Sequence, residues 1–146
     1  MKIKTYIIQF FLFAIFGISI GCKKEIKSIE PIEVSNSNAE NLGKWNLINV
    51  YGGISGVNEQ NATGVVTWSF NNNILEVENN NPVSNPFSLP TGTYQYDVIN
   101  SAGNTYLAID QSEFGRFVIT GDTMNINENF KSTGEVACGF IMILNR

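Results

Sequence analysis

The stretch VTWSFNNNILEVEN, residues 66–79, alternates apolar and polar side chains on both sides of a run of asparagines. Side chains in a β-strand point alternately to opposite faces. Trp68 and Phe70 therefore share one face of the first strand, and Leu75 and Val77 share one face of the second. Asparagine tolerates the left-handed backbone conformations of tight turns. The stretch therefore predicts a β-hairpin with one apolar side.

The same alternation continues along the chain, and helical periodicity is scarcely visible. Eight strands are predicted, at residues 44–51, 64–70, 74–78, 92–100, 105–110, 114–120, 123–127 and 139–146. Eight short antiparallel strands bury their apolar faces either in a closed barrel or in a two-sheet sandwich. The pattern predicts an all-β fold without choosing between them. The last strand, FIMIL at 140–144, is apolar on both faces, as expected of a central or closing strand that is covered on both sides.

The N-terminus has the pattern of a secretory signal. Lys2 and Lys4 precede an almost wholly apolar run at residues 6–20, and that run is too short for a typical membrane-spanning helix of about 20 residues. Small residues and Cys22 close it. An uncleaved anchor, or an ordinary signal followed by a chance cysteine, is the alternative.

The segment ISIGC at 18–22 resembles the lipobox of bacterial lipoproteins. This resemblance implies a signal peptide at 1–21, with acylation of Cys22 after cleavage. Residues 22–41 then form the lipidated end and a flexible tether, and residues 42–146 form the domain. Residues 23–25, KKE, resemble the charged export tags of Bacteroidetes surface lipoproteins. The implied location is the bacterial outer membrane, with the bilayer as a partner through Cys22.

Composition excludes several classes of function. Removing the signal changes the formal charge from −4 to −6, and an acidic domain repels nucleic acid. The chain has no histidine, no cysteine pair for zinc and no phosphate-binding loop. We therefore expect no cofactor, no metal and no enzymatic activity. A hydrolase built on two carboxylates is a minor alternative to the absence of enzymatic activity. A calcium site among the oxygens of Asn125, Asn127, Glu128 and Asn129 is a minor alternative to an asparagine-rich turn.

The second cysteine, Cys138, lies at the start of the last strand. If Cys22 carries the lipid, Cys138 is the remaining thiol, and an internal disulfide is impossible. We expect it to be a buried, inert thiol.

Several segments carry a further resemblance. In order, the domain contains LGKWNL at 42–47, VTWSF at 66–70, GTYQY at 92–96, FG at 114–115, TGD at 120–122 and LNR at 144–146. Together they resemble the lipocalin-like (calycin-type) domains of small Bacteroidetes lipoproteins. The resemblance implies an eight-stranded antiparallel up-and-down β-barrel, with a β-sandwich as the alternative. It also implies that Trp45 plugs the closed end and that Arg146 packs across it.

Two functional hypotheses follow. In the first, the lipid-anchored barrel binds a small hydrophobic ligand, with its wall formed by Trp68, Phe70, Tyr94, Tyr96, Phe117 and Met124. In the second, these side chains fill the core, and the domain is a structural or interaction module of an envelope complex. An apolar outer patch would support the second hypothesis. Its predicted members are Val65, Ile99, Ile141 and Ile143.

Overall fold

A computed structural model describes residues 41–81 and 87–146. The predicted signal peptide, the acylation site Cys22 and most of the predicted tether lie outside these residues. The strands are β1 Gly43–Gly52, β2 Val57–Gln60, β3 Val66–Asn71, β4 Ile74–Asn79, β5 Gly92–Ser101, β6 Asn104–Ile109, β7 Ser112–Thr120, β8 Thr123–Asn127, β9 Phe130–Lys131, β10 Gly134–Glu135 and β11 Phe140–Asn145. The described ranges contain no helix long and apolar enough to cross a bilayer.

Eight strands form a closed antiparallel barrel. Strands β3 to β8 follow one another as an up-and-down meander beside β1, and β11 pairs with both β8 and β1, which closes the sheet. The barrel is thus confirmed, and the sandwich alternative is excluded. All eight predicted strands are present within two residues of their predicted ends. The two-sided apolar strand at 140–144 is the closing strand, as predicted.

Three strands were not predicted. The first half of β1 pairs with β3, and its second half, Asn49–Gly52, pairs with the short strand β2. Strands β2 and β3 therefore follow one another along the same edge of β1, with a break between Gln60 and Val66. Strands β9 and β10 form a two-residue hairpin in the connection between β8 and β11. These strands are short and polar, so they carry no alternation that a periodicity argument detects.

The connections differ between the two ends of the barrel. Short turns join β3 to β4, β5 to β6 and β7 to β8, and we call this end the short-turn end. At the β3–β4 turn, Asn72 and Asn73 have φ of 48° and 64°, as the asparagine run predicted. The opposite, long-loop end carries residues 53–65, 80–81, 87–91 and 128–139 in its connections.

The core fills the barrel interior. Its fully buried members include Trp45 and Leu47 on β1, Leu107 on β6 and Leu144 on β11. Because alternate side chains face inward, one hydrophobic cluster joins all eight strands of the barrel. Glu76 and Glu78 point to solvent, as the alternation predicted.

A β-bulge distorts β7 near the long-loop end. Leu107 pairs with Gly115 while Ala108 pairs with Glu113, so Phe114 is the extra residue without a partner on β6. A bulge redirects side chains and increases local twist. Gly115 then lies very close to β8, since a Cβ atom added there would meet the Asn127 carbonyl oxygen at 2.6 Å.

Candidate functional site

The six predicted wall residues all belong to the barrel interior or its edge. Trp68 and Met124 are fully buried, Phe70 and Tyr96 are 1% exposed, and Phe117 is 7% exposed. Tyr94 is half-buried against the same cluster, and its hydroxyl donates to the Pro90 carbonyl at 2.9 Å. The interior therefore brings together the predicted set.

Aromatic rings contact one another inside the barrel. Ring centroids of Trp68 and Phe70 are 6.1 Å apart, and those of Phe70 and Tyr96 are 5.1 Å apart with an edge-to-face angle of 84°. Burial also raises the pKa of the Tyr96 hydroxyl above its usual value. These contacts show that three of the predicted wall residues, Trp68, Phe70 and Tyr96, pack against one another.

Phe114 is an interior contact that the sequence analysis missed. Its ring meets Trp68 edge-on, with centroids 5.9 Å apart. On a regular strand Phe114 would face away from the inward residue Phe117, three positions later. The bulge changes this parity and turns the half-buried Phe114 ring toward the core. Only the sequence Phe-Gly, with a glycine where two strands approach closely, hints at the irregularity.

The two tryptophans differ in their hydrogen bonding. They are direct neighbours on β1 and β3, and both are fully buried. The indole Nε1 of Trp45 donates to the Leu42 carbonyl at 2.7 Å. The indole Nε1 of Trp68 is buried and has no hydrogen-bond partner among residues 41–81 and 87–146. Trp68 therefore places an unsatisfied donor inside the barrel.

At the short-turn end, Arg146 covers Trp45. The guanidinium carbon of Arg146 lies 4.5 Å from the centroid of the Trp45 ring. The Nε of Arg146 also lies 3.5 Å from Asp122 Oδ1 in the β7–β8 turn. This geometry has the form that the lipocalin-like resemblance implies for these two residues.

At the long-loop end, the β9–β10 hairpin is fastened to the bulge. Lys131 Nζ donates to the carbonyl of Glu113 at 2.9 Å and to the carbonyl of Phe114. The backbone N and the hydroxyl of Ser132 donate to the Glu113 carboxylate at 2.5 and 2.6 Å. Lys131 thus binds two backbone carbonyls of the bulge from outside the barrel ladder.

Three of the four side chains considered for calcium accept hydrogen bonds from backbone N–H groups of the protein. Asn127 Oδ1 accepts from the backbone N of Asn129 at 3.0 Å, and Asn129 Oδ1 accepts from Gly139 N at 2.8 Å. Glu128 Oε2 accepts from Phe140 N at 3.0 Å. No group of three or more acidic or cysteine side chains positioned for a metal occurs in residues 41–81 and 87–146. The cluster is an asparagine-rich turn.

Replacing Glu128 with Gln is expected to stabilise the protein at neutral pH. Burial raises the pKa of Glu128, while the hydrogen bond from Phe140 and the nearby Lys131 partly oppose the rise. The folded protein thus holds this proton more tightly than the unfolded chain. Stability is then lost as pH rises from the unfolded pKa through the folded one. Glutamine keeps the acceptor for Phe140 without the buried charge.

We expect the gain from Glu128→Gln to stay within about 1 kcal/mol, because the side chain is partly solvated. Urea unfolding at several pH values measures it. The difference from wild type should vanish at acidic pH, where Glu128 is protonated. The exposed residue Glu76 supplies the control, and Glu76→Gln should change little. A Glu128→Gln variant less stable than wild type at neutral pH would show that the carboxylate is needed as a charge.

The expectation of a buried, free thiol at Cys138 is wrong. Cys138 is half-buried with a φ of 72°, and its sulfur is disulfide-bonded. Cys138 lies in the connection just before β11, and its backbone there is left-handed. Because the chain contains two cysteines, an internal disulfide of Cys138 and acylation of Cys22 exclude each other within one molecule.

The predicted outer patch is only partly present. Val65 packs against the core, so its assignment to the outer face is wrong. Ile99, Ile141 and Ile143 are half-buried. The most exposed large apolar side chains lie elsewhere, at Tyr51, Ile54, Val118, Ile119 and Val136. Val118 and Ile143 both pair with Asn125 from opposite sides, so they flank it on the same outer face.

Comparison with known proteins finds no family model, no curated protein and no solved structure that matches the chain.

Proposed function

We propose that this chain is a membrane-anchored lipoprotein whose lipocalin-like barrel acts through its outer surface, as an interaction module of a bacterial outer-membrane assembly. One observation carries the proposal: the rings predicted to line a ligand chamber pack against one another. An eight-stranded barrel has an interior just wide enough to be filled by side chains or to hold one small ligand. A filled interior leaves recognition to the outer surface.

The lipocalin-like part is supported by barrel closure and by the short-turn end. An up-and-down barrel of eight strands is the architecture that the sequence resemblance implies. The contact between Arg146 and Trp45 fits the same resemblance. An Arg over a Trp ring contributes about 0.5–2 kcal/mol, depending on its exposure.

The anchor proposal rests on the lipobox-like segment, and it requires that Cys138 is not joined to Cys22 in the acylated protein. About 20 residues separate Cys22 from the start of β1 at Gly43, and an extended chain of that length reaches roughly 65 Å. A diacylglycerol thioether and an amide-linked chain together give stable membrane attachment, whereas a single chain binds marginally. The domain would then stand clear of the bilayer and present its sides to other envelope proteins.

The outer face around Val118 is the proposed contact surface. Val118 is 55% exposed, and Ile143 lies two strands away on the same face. Exposed apolar side chains grouped on one face are typical of interaction sites.

Site-specific cross-linking in cells tests the interaction. A photo-reactive amino acid at position 118 is expected to give a discrete protein adduct, and one at position 76 should not. Glu76 is also exposed but lies on β4, three strands from β7 around the barrel. Excess purified domain should compete for the adduct. Equal labelling at both positions, or no adduct at either, would refute the proposed surface.

Mass spectrometry of the membrane-extracted protein tests the anchor. We expect an N-terminal peptide that begins at Cys22 and carries acyl chains, together with loss of membrane partitioning in Cys22→Ser. An unmodified Cys22 linked to Cys138, released by reduction and labelled on both thiols by alkylation, would refute acylation. Cys138→Ser is the matched control and should keep membrane partitioning.

A further inference from the structure

We propose that the outer edge of β2, Val57–Gln60, binds an extended, basic segment of another protein, which joins the sheet as an additional strand with a Lys or Arg opposite Glu59. The site belongs to the long-loop end. Strands β8, β11 and β1 lie between β2 and β7, so this edge is separate from the face around Val118. The proposal goes beyond that face, and it does not depend on the lipid anchor.

The first observation is an open strand edge. The eight strands of the barrel close on one another, but β2 is an extra strand at the end of the sheet, and β1 is its sole partner among the described strands. An unpaired edge is a template for pairing with another chain. The side chains of Asn58 and Gln60 are exposed, so another chain can reach this edge.

The hydrogen-bond pattern of β2 shows which backbone groups the edge offers. The backbone N of Asn61 donates to the Ile48 carbonyl at 3.0 Å, so it points to β1. Backbone groups alternate in direction along an antiparallel strand, so those of Glu59 also point to β1. The N–H and C=O groups of Asn58 and Gln60 therefore point away from β1. Within residues 41–81 and 87–146 they have no hydrogen-bond partner, which leaves two donors and two acceptors for a further strand.

The second observation indicates the charge of the partner. Glu59 is half-buried, and its Oε2 is buried without a hydrogen-bond partner in the described part of the chain. A buried carboxylate oxygen that lacks a donor is costly. On a strand added beside β2, the residue opposite Glu59 belongs to a non-hydrogen-bonded pair, in which the two side chains approach most closely. A Lys or Arg at that position would donate to Oε2.

A second copy of the chain fits this edge less well. Strand β2, VNEQ, contains one acidic residue and no basic one. An antiparallel pairing that uses both Asn58 and Gln60 of each copy places the two Glu59 side chains directly opposite each other. Like charges in that position destabilise a sheet. The formal charge of the whole chain, −4, also favours a basic partner over another copy.

Fluorescence anisotropy with a labelled peptide, Thr-Val-Thr-Lys-Thr-Val-Thr, tests the proposal on the purified full-length protein. One matched probe has Glu in place of the lysine. The other is N-methylated at the two threonines that flank the lysine, because their N–H groups would face β2. We expect the unmodified lysine peptide to bind saturably, and at least tenfold more tightly than either matched probe.

Two variants locate the binding at β2. Gln60→Pro removes an N–H that points away from β1, and proline is tolerated at such edge positions. It should weaken binding of the lysine peptide at least tenfold. Glu59→Gln should abolish the preference for lysine over glutamate in the peptide. The control Glu76→Gln removes an exposed carboxylate on β4 and should bind as wild type does.

Three results would overturn the proposal. They are no saturable binding, equal binding of the three peptides, and a dimer of the protein that Gln60→Pro dissociates while the lysine peptide does not bind. The comparison of the three peptides uses the wild-type protein, so it remains decisive if Gln60→Pro does not fold. Binding at β2 and cross-linking at position 118 are separate measurements, so either proposal can fail without the other.

Discussion

Replacing Trp45 with Ala is expected to lower the free energy of unfolding by about 3–5 kcal/mol, the largest loss among the changes considered. Trp45 is fully buried. Because protein interiors are closely packed, truncation to Ala would leave a cavity in place of the indole ring. The variant also loses the hydrogen bond to Leu42 and the ring beneath Arg146. Urea unfolding followed by circular dichroism measures the change.

Two controls separate these contributions. Trp45→Phe keeps an aromatic ring and should lose substantially less than the Ala variant, because most of the packing remains. Val118→Ala removes an exposed side chain and should stay within about 0.5 kcal/mol of wild type. A Trp45→Ala variant within about 1 kcal/mol of wild type would mean that Trp45 does not close the short-turn end.

Gly115→Ala is expected to lower stability by about 2–3 kcal/mol, at the upper end of the range for overpacking. The added Cβ would lie 2.6 Å from the carbonyl oxygen of Asn127 and 3.0 Å from the Cα of Glu128. Both atoms belong to the backbone, so no side-chain rotation relieves the contact. Relief requires β7 and β8 to separate next to the bulge, where Arg116 pairs with Asn127.

Gly92→Ala is the matched control. Its Cβ would meet the Tyr94 hydroxyl at 3.3 Å, at the movable end of a side chain, and Gly92 has no left-handed φ. We expect a cost below about 1 kcal/mol. Hydrogen exchange should show faster opening at the β7–β8 ladder in Gly115→Ala only. Equal losses in the two variants would show that close strand approach is not what selects glycine at position 115.

The strands were predictable because burial on one face imposes a two-residue period on the sequence. The hairpin at 66–79 and the two-sided strand at 140–144 both follow from that rule. Barrel closure did not follow from the alternation, since a sandwich needs the same pattern. Strand β2 escaped detection because its polar sequence, VNEQ, shows no apolar face.

The interior was predictable as a set of side chains, but not in its detailed contacts. Parity placed Trp68, Phe70 and Tyr96 inside, where the structure has them. Regular alternation counted back from Phe117 would put Phe114 outside, and the extra residue of the bulge reverses this. Whether the Trp68 indole has a hydrogen-bond partner depends on residues that are distant in the sequence, and no local sequence pattern predicts it.

Barrel closure sets the order in which this domain can fold. Asn46 and Asn145 are register partners, and they lie 99 positions apart along the chain. Such long-range pairing is slow to form, because loop-closure entropy is lost before any contact repays it. Until β11 reaches β1, the meander is an open sheet with unpaired backbone groups along both margins. Those margins can join other copies of the chain. The rate at which β11 pairs with β1 therefore competes with the rate at which open sheets aggregate.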